Sequence, residues 1–598
     1  MADRGGLGGN EGRAGRAPTG APAAGRSAAP DGVQETPRTD GGTGRSGTAG
    51  LGTSVARVTG TPDAGDGAAD LTGDRRAHAA KTLADRWVDE HRQVLSDWHQ
   101  VIWDLAEPAW REYQSAAWYV ELLRAEGFDV EEGSAGMPTA FFARWSNGPG
   151  PTVLTYAEYD AVPGNCQSAT TRPGPRPGLS RFAPGHTDPH SALGISALAA
   201  TLAAKRSMEE TGLRGTLVLT GEPAEKVQGS KVVHGLHGYY DGVDAIVSFH
   251  PFYMIPLCNT VVWDTHCAAY YSRIYSFVCD HPETWGAVEQ TPIAASHAAA
   301  RAPGANAALG LMWAATSATR DAMLPFVGGW SLSDAILTAG QATADNLPAS
   351  LAQIQYSWRT PDVATADRVL DVLDANAAAA ASATHCTLAT RWVARNRPGL
   401  ANHALARVGW RNLTRVGPPH WGPDAAAVGN ELRAALGASP VERPWLPETE
   451  TLIEPEEAER RLRALMPDWQ TNWTSDDYTE MTWYAPTVRL YVARPALGTA
   501  GLPGGVPNWV MNALGGIPAT IDPMIFCAAK VIAGTLIDLL ASPNVLSEAR
   551  SEFQERRART PLPALLPGDF TAPVDYRWPE YVTTPRGREW WIPANSEF

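Results

Sequence analysis

Cysteine is scarce in this chain. Six occur in 598 residues, at 166, 258, 267, 279, 386 and 527, and no two form a C-x-x-C pair. Scattered thiols suit a reducing compartment better than a disulfide frame, so the chain reads as cytoplasmic. Positive charge is also short: 49 Lys+Arg stand against 64 Asp+Glu, a net charge of −15. That balance argues against a nucleic-acid or anionic-membrane partner. No signal-peptide core or long apolar run is evident. The best membrane-span candidate, Cys527 to Ala541, is short and contains Lys530 and Asp538. H-E-x-x-H, a Walker loop, a G-x-S-x-G elbow and a post-strand G-x-G-x-x-G are all missing. Nucleotide-dependent and serine-hydrolase chemistries are therefore without support.

What is present is an ordered alternation. Thr152 to Tyr156 is a short apolar, β-branched run followed at once by Glu158-Tyr159-Asp160. Thr216 to Thr220 is a second, leading into Glu222-Pro223-Ala224-Glu225-Lys226, and Val243 to Phe249 a third, ending in His250-Pro251. Between the first two lies Gly185-His186-Thr187-Asp188-Pro189-His190, which opens a predicted helix from Asp188 to Glu210. Asp188 reads first as its cap, with Pro189 in the first turn, and second as a metal ligand. Strands alternating with helices predict a parallel sheet, whose ligand crevice lies at the strands' carboxyl ends. Each of those ends carries a carboxylate or a histidine, and His186 stands at a helix mouth.

The rest of the chain fits around that unit. Residues 1–78 are rich in Gly, Ala, Arg, Thr and Asp without apolar periodicity and are expected to be disordered. Helices are predicted over Lys81–Trp103 and Gln114–Glu126, with strands around Asp129–Glu132 and Ala140–Trp145. Past residue 262 the pattern becomes strand (Ala268–Cys279), helix (His297 to Met323), strand (Gln353–Arg359), helix (Ala364–Ala381) and strand (Thr387–Val393). Leu324 to Ser350 reads as a helical excursion. This order predicts a small α+β lid over 262–397, inserted between the two halves, 79–261 and 398–545, of an α/β domain. The second half should hold a last strand, Val488–Val492, and a helix, Met524–Leu540. Residues 546–598 form a tail whose Tyr576, Trp578, Tyr581, Trp590 and Trp591 are expected to anchor it to the surface, since no basic groove accompanies them.

Several motifs, in this order, resemble a known family. They are Tyr156-Ala-Glu-Tyr-Asp-Ala-Val-Pro-Gly164, Gly185-His186-Thr187, Pro223-Ala-Glu-Lys226, Asp241-Gly-Val-Asp-Ala…Phe-His250-Pro251, Ser296-His297…Pro303-Gly304 and Trp473-Thr-Ser-Asp-Asp477-Tyr-Thr-Glu480. Together they resemble the aminoacylase-like metallopeptidases of peptidase family M20, in the amidohydrolase branch that includes aminobenzoyl-glutamate hydrolases. The resemblance spans roughly residues 79–541. It implies a mostly parallel-sheet catalytic domain with helices on both faces, and an inserted ferredoxin-like lid that also forms a homodimer. It also implies hydrolysis of the amide of an N-acyl amino acid or related small conjugate.

The candidate site residues follow from both readings. Glu225 is the expected general base, its alternative an ordinary loop glutamate. His250 and His186 are candidate metal ligands, or satisfied buried histidines. Asp160 would orient a histidine, bind metal or simply make the turn before Pro163-Gly164. Glu222 reads as structural or as a replacement ligand, and Glu158 as a substrate contact. By resemblance, His297 would reach a substrate carboxylate or oxyanion across the dimer. Arg359 would bind a carboxylate or sit in a solvated ion pair. Asn402 matches a position at the return from the lid. Three departures stand out: Pro184 where the family has a cysteine two residues before its first metal histidine, Lys226 where it has a ligating glutamate, and no histidine in Leu497 to Pro523. The expectation is therefore at most one divalent metal, zinc or none, with the Lys226 ammonium helping to polarise the substrate. Alternatives are a metal-independent acid–base or condensation enzyme, or a catalytically silent binding protein.

Overall fold

The computed structural model describes residues 64–598, except 253, 255, 282–283, 285–302, 324–328, 341–347, 576–580, 585–586 and 591–598. Most of the N-terminal segment expected to be disordered, and His297 with the predicted start of its helix, lie outside the described residues. The last aromatics' side chains do too.

The parallel runs form the centre of a seven-stranded sheet in the order β1-β2-β4-β3-β5-β11-β6. Its strands are β1 (Asp129–Glu132), β2 (Phe141–Ser146), β3 (Thr152–Ala157), β4 (Thr216–Gly221), β5 (Ala245–Phe252), β6 (Thr260–Val261) and β11 (Thr487–Ala493). β3 pairs parallel with β4 and β5, and β11 parallel with β5, while β1, β2 and β6 run antiparallel at the two edges. Every residue of β4 and β11 is buried, as expected for strands covered on both faces. Helices His190–Thr211 and Pro518–Ala541 pack on the sheet. The second is long and apolar enough to cross a membrane, yet 78% of its most apolar window is buried inside the protein. That burial makes it a core helix.

A separate four-stranded antiparallel sheet has the order β10-β7-β9-β8, from β7 (Ala269–Val278), β8 (Ser331–Thr338), β9 (Leu351–Thr360) and β10 (Thr387–Asn396). Helices Ala305–Met323 and Val363–Thr384 pack against it. β8 corrects the sequence reading of a helical excursion: Ser331-Leu-Ser-Asp-Ala-Ile-Leu-Thr338 pairs antiparallel along β9 as the sheet edge. The stretch read as one helix from Lys81 is two, Ala64–Glu90 and Arg92–Leu105, parted at His91. A two-stranded hairpin, β12 (Tyr581–Thr584) with β13 (Gly587–Trp590), lies near the end of the chain.

Candidate active site

The carboxyl ends of β3, β4 and β5 converge with the first turn of helix His190–Thr211. Gly194 is what lets that turn come close. A Cβ there would lie 2.6 Å from the carbonyl oxygen of Glu158 and 2.3 Å from Tyr119 Oη, so any larger residue would push the helix off β3. After β4 the chain enters a tight turn, Glu225–Val227, between two non-glycine residues at positive φ, Ala224 (57°) and Gln228 (55°). Such backbone costs free energy and persists only where surrounding contacts impose it. Here Glu112 Oε1 accepts the Ala224 N–H at 2.8 Å, and Gln228 donates to Ser475 Oγ at 2.6 Å.

His190 is the centre of the cluster. Its Nδ1 donates to Asp160 Oδ1 at 2.6 Å, and Asp160 Oδ2 accepts the Lys226 backbone N–H at 2.8 Å. His190 Nε2 faces Lys226 Nζ at 2.7 Å, Glu158 Oε2 at 3.3 Å and Glu225 Oε2 at 3.4 Å. The Lys226 ammonium also contacts Asp188 Oδ1 at 2.8 Å and Glu225 Oε2 at 3.2 Å. His250 donates from Nδ1 to the Pro251 carbonyl at 2.8 Å and turns Nε2 toward Asp188 Oδ2, 3.6 Å away. Beneath lies a second layer, wholly buried. Lys231 Nζ bridges Glu158 Oε1 (2.7 Å) and Asp477 Oδ1 (2.6 Å). Arg489 pairs with Asp476 and donates to Tyr156 Oη and Ser248 Oγ at 2.8 and 2.9 Å.

The electrostatics follow from these contacts. Burial raises the Glu158 carboxyl to about 7 even though Lys231 and His190 pull it down. Burial also raises Asp477. Asp188 is held well below the usual carboxylate range, because the Lys226 and His190 charges outweigh burial. Burial and the Lys226 charge disfavour a charged His190 ring, while the carboxylates of Glu158 and Asp160 raise its affinity for a proton. The two nitrogens stand 2.7 Å apart and share one proton; the Asp188 and Glu225 carboxylates hold it on the Lys226 ammonium, which donates while His190 Nε2 accepts.

The structure thus gathers six of the residues singled out from sequence: Glu158, Asp160, Asp188, Glu225, Lys226 and His250. Four others are placed differently, and one lies outside the described residues. His186 is not a ligand of this cluster. Its ring stacks on Trp103 with centroids 5.5 Å apart, Nε2 faces the Ile102 carbonyl at 3.3 Å, and burial drives its pKa down to about 3. Glu222 belongs to neither group of donors close enough to share an ion, and its Oε1 accepts from His234 Nδ1 (2.8 Å) and Tyr240 Oη (2.9 Å) in the interior. Asn402 has a structural use: its side chain caps helix His403–Val416 through the Leu405 N–H (3.0 Å) and donates to the Ala549 carbonyl (2.8 Å). Arg359 extends from β9 to Ser475 Oγ at 2.6 Å, one residue before Asp476, and so approaches the cluster from the four-stranded antiparallel sheet. Asp188 does not cap; the helix begins at His190 with Pro189 before it.

His190, Lys231, Asp476 and Arg489 are the functional neighbours that sequence reasoning passed over. Moving the site histidine from 186 to 190 also moves the residue two before it from Pro184 to Asp188, a carboxylate already in the cluster.

The donors fit one divalent cation in kind. Glu158, His190 and His250 each offer a ligand atom within 4.8 Å of the others, and Glu158, Asp476 and Asp477 form a second such group. Both rings have Nδ1 engaged by an acceptor, which leaves the Nε2 lone pairs facing inward. Glu158 Oε2 is buried without a hydrogen bond.

No family model matches the chain. Over 505 residues the chain is 24% identical to a curated subunit of the p-aminobenzoyl-glutamate hydrolase of Escherichia coli, covering 81% of this chain and 97% of that protein. Solved structures similar to it include an aminobenzoyl-glutamate utilization protein of Klebsiella pneumoniae (14% identity, TM-score 0.46, 76% of this chain and 97% of that one). They also include a dinuclear metal-binding M20 peptidase of Bacillus subtilis (14%, 0.42, 76% and 99%). By descent, over most of its length, the chain is a homologue of that p-aminobenzoyl-glutamate hydrolase subunit.

Proposed function

We propose that the protein hydrolyses the amide bond of a small N-acyl amino-acid conjugate, of the aminobenzoyl-glutamate type, at the cluster around His190. One observation carries the reading: Glu225, 7% exposed, points its Oε2 at both the Lys226 ammonium and His190. A carboxylate so placed can take a proton from water as the water oxygen attacks the amide carbon. The C=O pair then moves onto oxygen, and the Lys226 ammonium faces that developing charge. Glu225 returns the proton to the amide nitrogen as the C–N bond breaks, giving a carboxylic acid and an amine. Where a divalent ion took the ammonium's place at His190, with Glu158 and His250, it would supply Lewis-acid polarisation of the carbonyl instead, zinc by donor type. Arg359 is the group we assign to the substrate's free carboxylate, because it reaches the cluster's edge from the lid sheet. The homologue's named activity supports the bond type.

A homodimer through the lid is part of this reading. Edge strand β8 exposes Ile336 (53%), and helix Ala305–Met323 exposes Leu311 and Trp313.

The test is amine release from p-aminobenzoyl-glutamate and a panel of N-acyl amino acids by the full-length protein. Turnover that falls about 10²–10⁴-fold in Glu225→Gln, with KM little changed, is the expected result. Full turnover in that variant, or no hydrolysis of any amide, overturns it.

A further inference from the structure

Lys226 occupies a position that chemistry normally gives to a metal ion. Its Nζ is surrounded by one imidazole nitrogen, His190 Nε2 at 2.7 Å, and two carboxylate oxygens, Asp188 Oδ1 at 2.8 Å and Glu225 Oε2 at 3.2 Å. Three acceptors meet three ammonium protons. We infer that the Lys226 ammonium is a built-in competitor for the divalent-cation position, and that a metal ion enters the His190 site only by displacing it.

The exclusion is geometric before it is electrostatic. His190 Nδ1 carries the proton it donates to Asp160, so Nε2 has a single lone pair. A zinc–imidazole bond would use that lone pair at about 2.0–2.1 Å, where the ammonium now forms its hydrogen bond. Both cannot hold it. A dication left within about 4 Å of the ammonium would in addition repel it strongly.

The surroundings call for a cation and leave the ammonium one way out. Glu158, Asp160, Asp188, Glu225, Asp476 and Asp477 gather around the permanent cations Lys226, Lys231 and Arg489, and the buried Glu158 Oε2 accepts no hydrogen bond. The Lys226 backbone is fixed by its N–H on Asp160 and by the turn between Ala224 and Gln228. Only the side chain can retreat, toward the open side, where Asp188 is 29% exposed and Lys226 itself 19%.

The inference rests on reading Glu158, His190 and His250 as a cation site. It does not rest on the amide substrate, so its test uses none. Metal-stripped full-length protein is titrated with zinc chloride by calorimetry, and with cobalt(II) by its visible absorption. Lys226→Met should bind one ion per chain at least about tenfold more tightly than wild type. His190→Ala should abolish that gain in the Lys226→Met background. Lys226→Gln, neutral but able to hydrogen-bond, should fall on the same side and serves where the methionine variant fails to fold, as judged by thermal melting. Equal zinc affinity in wild type and in either folded Lys226 variant overturns the inference. So does a gain in affinity that survives His190→Ala. Failure to hydrolyse amides would sink the proposed reaction and leave the metal titration as it stands.

Discussion

His186 and His190 are four residues apart and almost equally hidden from solvent, yet their surroundings differ in kind. His186 ends the segment bridged to Val162, against an indole; His190 begins the helix, among carboxylates. Desolvation acts on both, and it lowers the proton affinity of both. What separates them is the second contribution, the charges of Glu158 and Asp160, which stand beside His190 alone. Burial alone thus leaves a histidine inert. Burial with a carboxylate on Nδ1 keeps the proton on that side and aims Nε2 at a cation, here the Lys226 ammonium.

The largest test of that contrast is catalytic. His190→Ala should lower kcat/KM by about 10²–10⁴-fold, whereas His186→Phe, which keeps a ring on Trp103, should stay within about tenfold of wild type. Similar losses in the two would break the comparison. Asp160→Asn comes next: losing the charged partner of His190 Nδ1 should cost about 10–100-fold in activity or metal affinity, by assay or zinc titration. A variant indistinguishable from wild type would remove Asp160 from the site.

The aromatic side sharpens the contrast through acid stability. His99, whose ring centroid lies 6.2 Å from that of Trp103 and which donates to or accepts from Ser191 Oγ at 3.1 Å, is also depressed to about 3 by burial. Because its folded pKa lies below the ordinary 6.5, the unfolded chain binds the proton first, and stability is lost as pH falls from about 6.5 toward 3. Each such histidine contributes a slope of up to ~1.4 kcal/mol per pH unit in that window. His99→Gln should therefore lose less stability than wild type between about pH 7 and pH 5 in urea melts. A steeper loss in the variant contradicts the assignment. The smallest effect belongs to Asn402→Ala, which removes a helix cap and should cost about 1 kcal/mol in stability with unchanged KM. A raised KM at full stability would restore it as a substrate contact.

The sheet was legible because its signal is local. Strands predicted at Thr152–Tyr156 and Thr216–Thr220 appear as β3 and β4 with ends shifted by one residue, since a doubly covered strand must be apolar throughout. β8 was not legible: Ser331–Thr338 has a pattern that only pairing with β9 turns into a strand. In the site, Glu225, Asp160 and His250 could be read from their place just after or at the end of apolar runs. His190 could not, because Asp188-Pro189 reads as a cap, and a long-range ion pair with Lys226 overrides that local preference. Lys231 gives even less warning. A lysine with no exposed surface is defined wholly by Glu158 and Asp477, which are 73 and 246 residues away along the chain.

Asp160 gives the site an evolutionary constraint. One of its oxygens fixes the His190 ring and the other fixes the Lys226 peptide, so two segments 36 residues apart in sequence share one anchor. A substitution at any of the three positions changes what the other two touch. A lineage that changed Lys226 for a metal-ligating residue would inherit a turn still held by Asp160, with the histidine already aimed. The reverse exchange would be equally short. The carboxylate makes the step between an ammonium-filled and a metal-filled pocket a single codon's work on a preserved frame.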